Sequence, residues 1–191
     1  MFSLAIMLSN FATMRKREDE SERMLAGAQT AANRDPLTGV KSKHAYVGKE
    51  EELNALIDSG AADDLAIVVC DVNGLKQVND TLGHKAGDAH ILAASRIVCS
   101  LFKHSPVYRI GGDEFLVVLQ GSDYEKRHDL MAQLDQQMLE HVCDGKIVVA
   151  AGMSDYVRGQ DTRVGQVFDR ADAIMYERKK ELKRLQGLPE R

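Results

Sequence analysis

The stretch Arg109–Leu119 decides the fold and reads Arg-Ile-Gly-Gly-Asp-Glu-Phe-Leu-Val-Val-Leu. Apolar runs at 107–110 and 115–119 flank the two glycines, so the pattern predicts a β-hairpin whose turn uses the positive φ angles that glycine allows. Side chains alternate along a strand, which lets one of the two carboxylates, Asp113 or Glu114, face a site while the other faces elsewhere. Because glycine has no Cβ, it also lets a ligand approach the backbone closely. On its own, this stretch also suits an ordinary hairpin with solvated acids.

The composition is that of a soluble globular protein. The chain has 191 residues, of which 44% are hydrophobic and 28% charged, enough for one domain with a proper core and an appendage. The formal net charge of -4 argues against nucleic-acid binding, which needs a basic face. Cys70, Cys99 and Cys143 form no Cys-x-x-Cys pair, and Cys70 and Cys99 lie within apolar runs, so we expect reduced thiols in a cytosolic compartment. Their wide spacing also argues against a zinc site.

The N-terminal part of the chain is predicted to precede the folded domain. Residues 2–14 are largely apolar but too few to span a membrane, which takes about 20 residues. Basic residues at 15–17 follow them, as at the cytoplasmic end of a transmembrane helix, although a short amphipathic helix or a disordered start fits equally well. We expect a cytoplasmic protein, or one attached through this segment to the cytoplasmic face of the inner membrane. Residues 18–33 predict a linker helix, residues 34–186 the main domain and residues 187–191 a tail.

Apolar periodicity predicts further helices and strands on both sides of the hairpin. Ser42 is expected to cap a helix that ends before Gly60, and Asp88 to cap a helix at 89–102. Ser122 and Glu125 have the spacing of a capping box for a third helix. The remaining predictions are a buried strand at 65–70, a strand at 146–152, a polar loop at 155–163, and a last helix at 164–185 with Leu185 on its buried stripe.

Two features of this pattern could carry chemistry. Asp71 ends the predicted buried strand, a common place for a metal ligand, although such a carboxylate alone is a weak indication. Lys179 and Lys183 are four residues apart on the last helix and therefore share one face. Lysines near a helix C-terminus are usually solvated and stabilised by the helix dipole, and that explanation stays open for both.

Four motifs give the chain a resemblance to the GGDEF family, whose members are diguanylate cyclases. Residues 111–115 spell the family signature, with Arg109 as the basic residue ahead of it. Residues 35–40 resemble the motif Asp-x-Leu-Thr-Gly-Leu that begins these domains. Residues 71–88 resemble Asp-x-Asp-x-Phe-Lys-x-x-Asn-Asp followed by Gly-His-x-x-Gly-Asp, and residues 171–183 resemble the last helix of the family.

The chain also departs from the family pattern. Asn73 replaces the second Asp of its motif and Leu75 replaces Phe. Lys183 replaces an Arg, which keeps the charge for phosphate attraction but loses the bidentate fork. Many family members carry Arg-x-x-Asp ahead of the signature, where the product binds and inhibits, but Phe102 and Ser105 occupy those places here. We therefore expect no product inhibition through that site.

The resemblance implies an α/β (α+β) fold similar to the palm of nucleotidyl cyclases and polymerases. A central, mostly antiparallel sheet would be flanked by helices and preceded by the linker helix. The resemblance also implies a reaction in which two GTP molecules are joined into cyclic di-GMP, with release of two pyrophosphates. Each domain of a homodimer would hold one GTP, so dimerisation would be part of the mechanism and the linker helix would align the two copies.

The resemblance further implies the roles of individual residues. Asp71, the Val72 carbonyl and Asp113 would bind magnesium, two ions per half-site, with manganese as an alternative, because their ligand atoms are hard oxygens. Asp113 or Glu114 would accept the proton of the attacking hydroxyl, and the sequence does not choose between them. His84 would lie near the substrate or hold its loop as a packed histidine. The expected substrate-binding residues are Lys76, Asn79, His84, Asp88, Gly111, Gly112, Lys179 and Lys183, with Asn79 and Asp88 at the guanine edge.

Two other functions stay open on the sequence. A degenerate domain would bind GTP or cyclic di-GMP without turnover, and a dimerising scaffold would use only its linker helix. The presence of Asp71, Asp113, Asn79, Asp88 and Lys179 counts against the degenerate domain.

Overall fold

The computed structural model describes residues 32–188 together with Arg15, Arg17 and Met24. The apolar segment at 2–14, nearly all of the expected linker helix at 18–33 and the end of the tail lie outside the described residues. Within the part of the chain that is described, no helix is long and apolar enough to cross a membrane.

Residues 32–188 fold into five strands and six helices. Their order is β1 (Lys41–Ser42), α1 (Lys43–Asp58), β2 (Ala66–Val72), α2 (Leu75–Leu82), α3 (His84–Leu101), β3 (Val107–Arg109), β4 (Glu114–Leu119), α4 (Gly121–Glu125), α5 (Arg127–Asp144), β5 (Val149–Asp155) and α6 (Val164–Leu185).

The strands form one sheet in the order β1-β3-β4-β2-β5. The pairs β3–β4, β4–β2 and β2–β5 are antiparallel, and only the short β1 pairs in parallel, with β3. This arrangement confirms the predicted α+β fold with a mostly antiparallel sheet flanked by helices. The central strand β2 is buried along its whole length, which explains why its sequence is a continuous apolar run.

The last helix lies close against the sheet, where it contacts β5 and β2. Gly152 in β5 makes this approach possible: a Cβ at that position would lie 2.2 Å from the carbonyl oxygen of Ala171 and 2.2 Å from the backbone nitrogen of Met175. Because both atoms belong to the helix backbone, they cannot move aside as a flexible side chain would. The close packing fixes α6, and with it Lys179 and Lys183, relative to the central strands.

Helix starts differ from the sequence prediction at two places. The cap of α1 is confirmed, since Ser42 Oγ accepts a hydrogen bond from the backbone nitrogen of Ala45 at 3.2 Å. Asp88 does not cap a helix, because α3 begins one turn earlier, at His84. The predicted capping box is also wrong: Ser122 lies inside the short helix α4, which has no side-chain cap.

Other differences concern element bounds. The strand expected at 146–152 runs from Val149 to Asp155, and Leu185 is 54% exposed rather than buried. The strand β1 and the helix α2 were not expected from the sequence. Two residues carry no periodicity, so β1 forms only because β3 is available for pairing. The apolar residues Leu75, Val78 and Leu82 of α2 do recur at helical spacing, but its eight residues are fewer than the window of about 11 over which periodicity identifies a helix.

Candidate active site

The signature hairpin brings its acids next to the end of β2. Asp71 lies directly opposite Glu114 in the antiparallel register of β2 and β4. Just beyond that pair, the backbone nitrogen of Val72 donates to the carbonyl oxygen of Asp113 at 3.0 Å. The two strands therefore hold three carboxylates, on Asp71, Asp113 and Glu114, at one end of the sheet.

The two signature glycines are not used as the sequence predicted. Neither Gly111 nor Gly112 is among the glycines with positive φ. A Cβ at Gly111 would lie 2.3 Å from Oε2 and 3.2 Å from Cβ of Glu114, so the glycine makes room for this carboxylate. Among the residues that the structure describes, no heavy atom beyond the chain neighbours lies within 4 Å of a Cβ at Gly112. The open space there agrees with the prediction that a ligand can approach the hairpin backbone.

A partly buried ion pair fixes the hairpin turn to the start of the domain. Arg109 Nη1 lies 3.1 Å from Asp35 Oδ1, and Arg109 Nη2 donates to the carbonyl oxygen of Gly112 at 2.7 Å. Asp35 also accepts hydrogen bonds from the backbone and hydroxyl of Thr38. Burial alone would raise the pKa of Asp35, but the hydrogen bonds from Thr38 and Arg109 hold it below its usual value. The motif at 35–40 therefore holds the turn that carries Asp113.

Asp71 is the most deeply buried acid of the site, at 4% exposure. Lys179 Nζ from α6 lies 2.6 Å from its Oδ1. Burial raises the pKa of Asp71 to about 6; Lys179 opposes the rise, and the negative charges of Asp113 and Glu114 add to it. The three acids therefore carry more negative charge than one lysine neutralises, which favours the binding of a further cation.

A cleft of about 540 Å³ opens between α2 and the end of α6. Five of the residues predicted for the site line it together: Val72, Lys76, Asp113, Lys179 and Lys183. The lining of the cleft thus combines the acid Asp113 with three lysines. This combination suits a polyphosphate bound through divalent cations.

The residues expected at the guanine edge lie next to this cleft rather than in its lining. Asn79 belongs to α2 and its side chain packs against Gly87 of α3, where a Cβ would meet Asn79 Oδ1 at 1.9 Å. Asp88 follows on α3 with its side chain exposed, and His84 is the exposed first residue of that helix. The helix pair α2 and α3 therefore holds Asn79 and Asp88 near each other, while His84 has no packed environment that would explain it as a structural histidine.

The ligand atoms present at this end of the sheet fit magnesium. They are the carboxylates of Asp71 and Asp113 and the carbonyl of Val72, all hard oxygens, and magnesium keeps several waters when it binds so few protein groups. Among the described residues, no three or more His, Cys, Asp or Glu side chains converge on one metal position. The assignment of these three residues as metal ligands stays a prediction.

Several residues of the site were not foreseen from the sequence. Asp80 lines the cleft one helical turn after Lys76, and the spacing of four residues would have placed it on the same face had α2 been recognised. Gly187 and Leu188 also line the cleft. They belong to a segment that the sequence assigned to a tail, where no periodicity indicates a role.

Comparison with known proteins identifies the family. Residues 32–184 match the family model described as diguanylate cyclase, GGDEF domain. The chain is 30% identical over 145 residues to the probable diguanylate cyclase DgcJ of Escherichia coli, covering 74% of this chain and 28% of that protein. It is 28% identical over 120 residues to a diguanylate cyclase of Vibrio cholerae, covering 61% of this chain and 37% of that one. The chain thus spans less than half the length of either relative.

Two solved structures of GGDEF proteins are similar in fold to this chain. The coiled coil and GGDEF domain of DgcB from Caulobacter crescentus, in complex with c-di-GMP, has a TM-score of 0.73 at 20% identity and covers 91% of this chain and 94% of that chain. A sensory box/GGDEF family protein from the same species has a TM-score of 0.57 at 29% identity, covering 78% of this chain and 99% of that chain. With the family model matched from the first motif to the last helix, the chain belongs to the GGDEF family of diguanylate cyclase domains.

Proposed function

We propose that this chain is an active diguanylate cyclase, which joins two GTP molecules into cyclic di-GMP and releases two pyrophosphates. The observation that carries the proposal is the pairing of β2 with β4, which places Asp71 opposite Glu114 and beside Asp113, facing Lys179. A scaffold that only dimerises has no need of three carboxylates at one end of the sheet, one of them paired with a partly buried lysine.

The residues at this end of the sheet divide the work of phosphoryl transfer. Asp71, the Val72 carbonyl and Asp113 would hold two magnesium ions, which when bound neutralise phosphate charge and stabilise the attacking and departing oxygens. Lys179 and Lys183 attract the outer phosphates from the α6 side of the cleft. The buried position of Asp71 strengthens each of these electrostatic interactions, because water is excluded around it.

Recognition of guanine falls to the α2–α3 pair. The Asp88 carboxylate can accept from the ring N–H and the exocyclic amine of guanine, and the Asn79 amide can donate to its acceptors. Adenine presents the wrong donors and acceptors at that edge. GTP is therefore the substrate that we propose.

Proton removal from the attacking 3′-hydroxyl falls to Asp113 or Glu114. The two side chains lie in different surroundings, since Asp113 lines the cleft and Glu114 lies against Gly111. The position of Asp113 favours it as the group that contacts the reacting atoms.

One domain holds one GTP, so the reaction needs a second copy. The 3′-hydroxyl of each nucleotide attacks the α-phosphate of the other across the interface of a homodimer. The open cleft supports this arrangement, because a nucleotide bound there stays accessible from outside the domain.

Incubation of the purified chain with GTP and magnesium, followed by chromatography, tests the proposal. An active cyclase yields cyclic di-GMP. Nucleotide binding without product would instead favour the degenerate binding domain, and absence of both would favour the scaffold. Either result would overturn the proposed function.

A further inference from the structure

The end of α6 turns back over the candidate nucleotide cleft. Gly187 has a φ of +68° and its backbone nitrogen donates to the carbonyl oxygen of Arg184. The backbone nitrogen of Leu188 then donates to the carbonyl oxygen of Lys183 at 2.9 Å. These two bonds form a Schellman motif, which needs the left-handed conformation that glycine adopts readily. The turn Gln186–Leu188 is therefore an ordered end of the helix rather than a loose tail.

This turn forms part of the cleft wall. Gly187 and Leu188 line the cleft together with Lys183 and Gly74. Leu188 Cδ1 lies 4.0 Å from the Cβ position of Gly74, the residue that opens α2. The turn thus faces the start of α2 across the cleft.

A single side chain ties the turn to the strand that carries Asp71. Asn73 is 2% exposed, and its Nδ2 donates to Gln186 Oε1 at 3.0 Å. The carbonyl oxygen of Asn73 lies 3.1 Å from His90 Nε2 on α3, and its backbone nitrogen donates to the carbonyl oxygen of Val148. Asn73 therefore connects the metal-binding strand, the helix that carries Asp88 and the end of α6.

The arrangement around Asn73 is costly for a purely structural residue. Its Oδ1 is buried without a hydrogen-bond partner among the described residues. A buried acceptor without a donor lowers stability, and such groups are retained mainly where they serve function. An apolar residue would fill the same space without that loss.

We infer that Asn73 and Gln186 are positioning residues, which hold the turn Gln186–Leu188 and Lys183 at the phosphate end of the nucleotide cleft. The inference rests on the proposed function. It adds to the same site the turn that lines the cleft and the Asn73–Gln186 hydrogen bond that holds this turn. Gln186 acts through Lys183, whose carbonyl the turn engages, and it does not contact the guanine residues on α2 and α3.

Binding measurements on the full chain test this role. The probes are α,β-methylene-GTP with magnesium, which cannot be cyclised, and GMP, which lacks the outer phosphates. We expect Gln186→Met to bind the triphosphate analogue about tenfold more weakly than the wild-type chain. The substitution removes the hydrogen bond from Asn73, so the turn no longer holds Lys183 in place. The affinity of Gln186→Met for GMP should change less than about twofold, since the guanine residues are untouched.

Leu185→Gln is the matched control. Leu185 lies in the same last turn of α6, is 54% exposed and is not one of the residues that line the cleft, so its substitution should leave both affinities unchanged. Urea unfolding of each variant shows whether it is folded.

The outcomes separate this inference from the proposed function. Equal affinity of Gln186→Met and the wild-type chain for the triphosphate analogue would overturn the positioning role alone. An equal loss of GMP affinity would also overturn it, since that result indicates general damage to the fold. A wild-type chain that binds neither probe would overturn the proposed function itself.

Discussion

Asp71 and Asp113 lie at neighbouring strand ends, but they differ in how deeply they are buried. Asp71 is 4% exposed and forms an ion pair with Lys179, so its removal would leave a lysine without its partner and disturb the fold as well as the site. Asp113 is half-buried on the cleft and contributes little to the core. A substitution at Asp113 therefore tests the chemistry with less effect on stability.

Asp113→Asn should lower the rate of cyclic di-GMP synthesis by roughly 100-fold or more, because it removes a negative oxygen needed for metal binding or proton transfer. The melting temperature should stay close to that of the wild-type chain. Initial rates and thermal unfolding measure the two effects. Asp129→Asn, an exposed acid on α5, is the control and should leave both unchanged. A similar rate in Asp113→Asn would remove Asp113 from the mechanism.

Gly87→Ala should separate nucleotide binding from stability. The added methyl group would collide with the Asn79 amide, which must move away from the position that we propose for guanine binding. We expect the affinity for a non-cyclisable GTP analogue to fall by about tenfold. Alanine is a better helix former than glycine, so stability should not fall in parallel.

Gly48→Ala, in α1, is the control for that variant. Within residues 32–188, no heavy atom outside the local backbone lies within 4 Å of a Cβ there, so the methyl group has room and nucleotide affinity should stay unchanged. Calorimetric titration measures both affinities. Unchanged affinity in Gly87→Ala would contradict the role of Asn79.

At the scale of elements, the loop before α6 is held by a buried acid. The Asp161 side chain is 1% exposed and accepts hydrogen bonds from Arg170 Nη1 at 2.6 Å and from the backbone nitrogen of Val157 at 2.7 Å. The hydrogen bonds from Arg170 hold the pKa of Asp161 below its usual value, although burial opposes this. Its contribution to stability is therefore complete above the unfolded-state pKa of about 4 and is lost as the pH falls through the lower folded-state value.

Asp161→Asn should lower the free energy of unfolding at pH 7 by about 3 kcal/mol, because Arg170 loses its charged partner. The difference from the wild-type chain should shrink as the pH falls below about 4, because the carboxyl of the unfolded chain then takes up a proton before Asp161 in the folded chain does. Urea unfolding at pH 7 and pH 3 measures the change. Asp169→Asn, an exposed acid on α6, should show no such difference at either pH. A difference of constant size at both pH values would contradict this assignment.

Local signals predicted the elements that depend on local structure. The Ser42 cap was predicted correctly because its hydrogen bond spans three residues. The hairpin and the buried strand β2 were placed to within a few residues by their apolar runs. The start of α3 was missed because Gly83, which has no side chain to cap a helix, precedes it and gave no signal.

Contacts between distant residues could not be predicted from the residues alone. Arg109 and Asp35 are 74 positions apart, and Asn73 and Gln186 are 113 apart. No periodicity links such pairs, and their meeting depends on the whole sheet. The family resemblance supplied the candidate site residues, but it did not indicate that Gly187 and Leu188 line the cleft.

At the scale of the whole molecule, the two residues at the positions of the family's inhibitory motif make contacts within the fold. Phe102 is 1% exposed in the core, and Ser105 Oγ accepts a hydrogen bond from the backbone nitrogen of Gln120 at 3.2 Å. Neither residue offers a charge to a phosphate or a guanine. This end of α3 therefore lacks the groups for binding a cyclic dinucleotide in the family's manner.

Cyclic di-GMP added to the assay should not inhibit synthesis through residues 102–105. Initial rates at increasing product concentration measure this for the wild-type chain and for Ser105→Ala. The two should respond alike, because the hydrogen bond of the serine hydroxyl within the described residues is to the backbone nitrogen of Gln120. Strong inhibition of the wild-type chain that disappears when residues 102–105 are altered would show that a product site exists there.

We propose above all that Asp71, the Val72 carbonyl and Asp113 bind divalent ions that also contact a bound GTP. Crystals grown with manganese and α,β-methylene-GTP test it most directly, because manganese gives an anomalous signal. We predict anomalous peaks roughly 2.0–2.2 Å from these oxygens. The triphosphate should lie between the metal positions and the lysines of α6. Nucleotide bound in the cleft without metal at these oxygens, or with the carboxylates too far apart to share an ion, would contradict it.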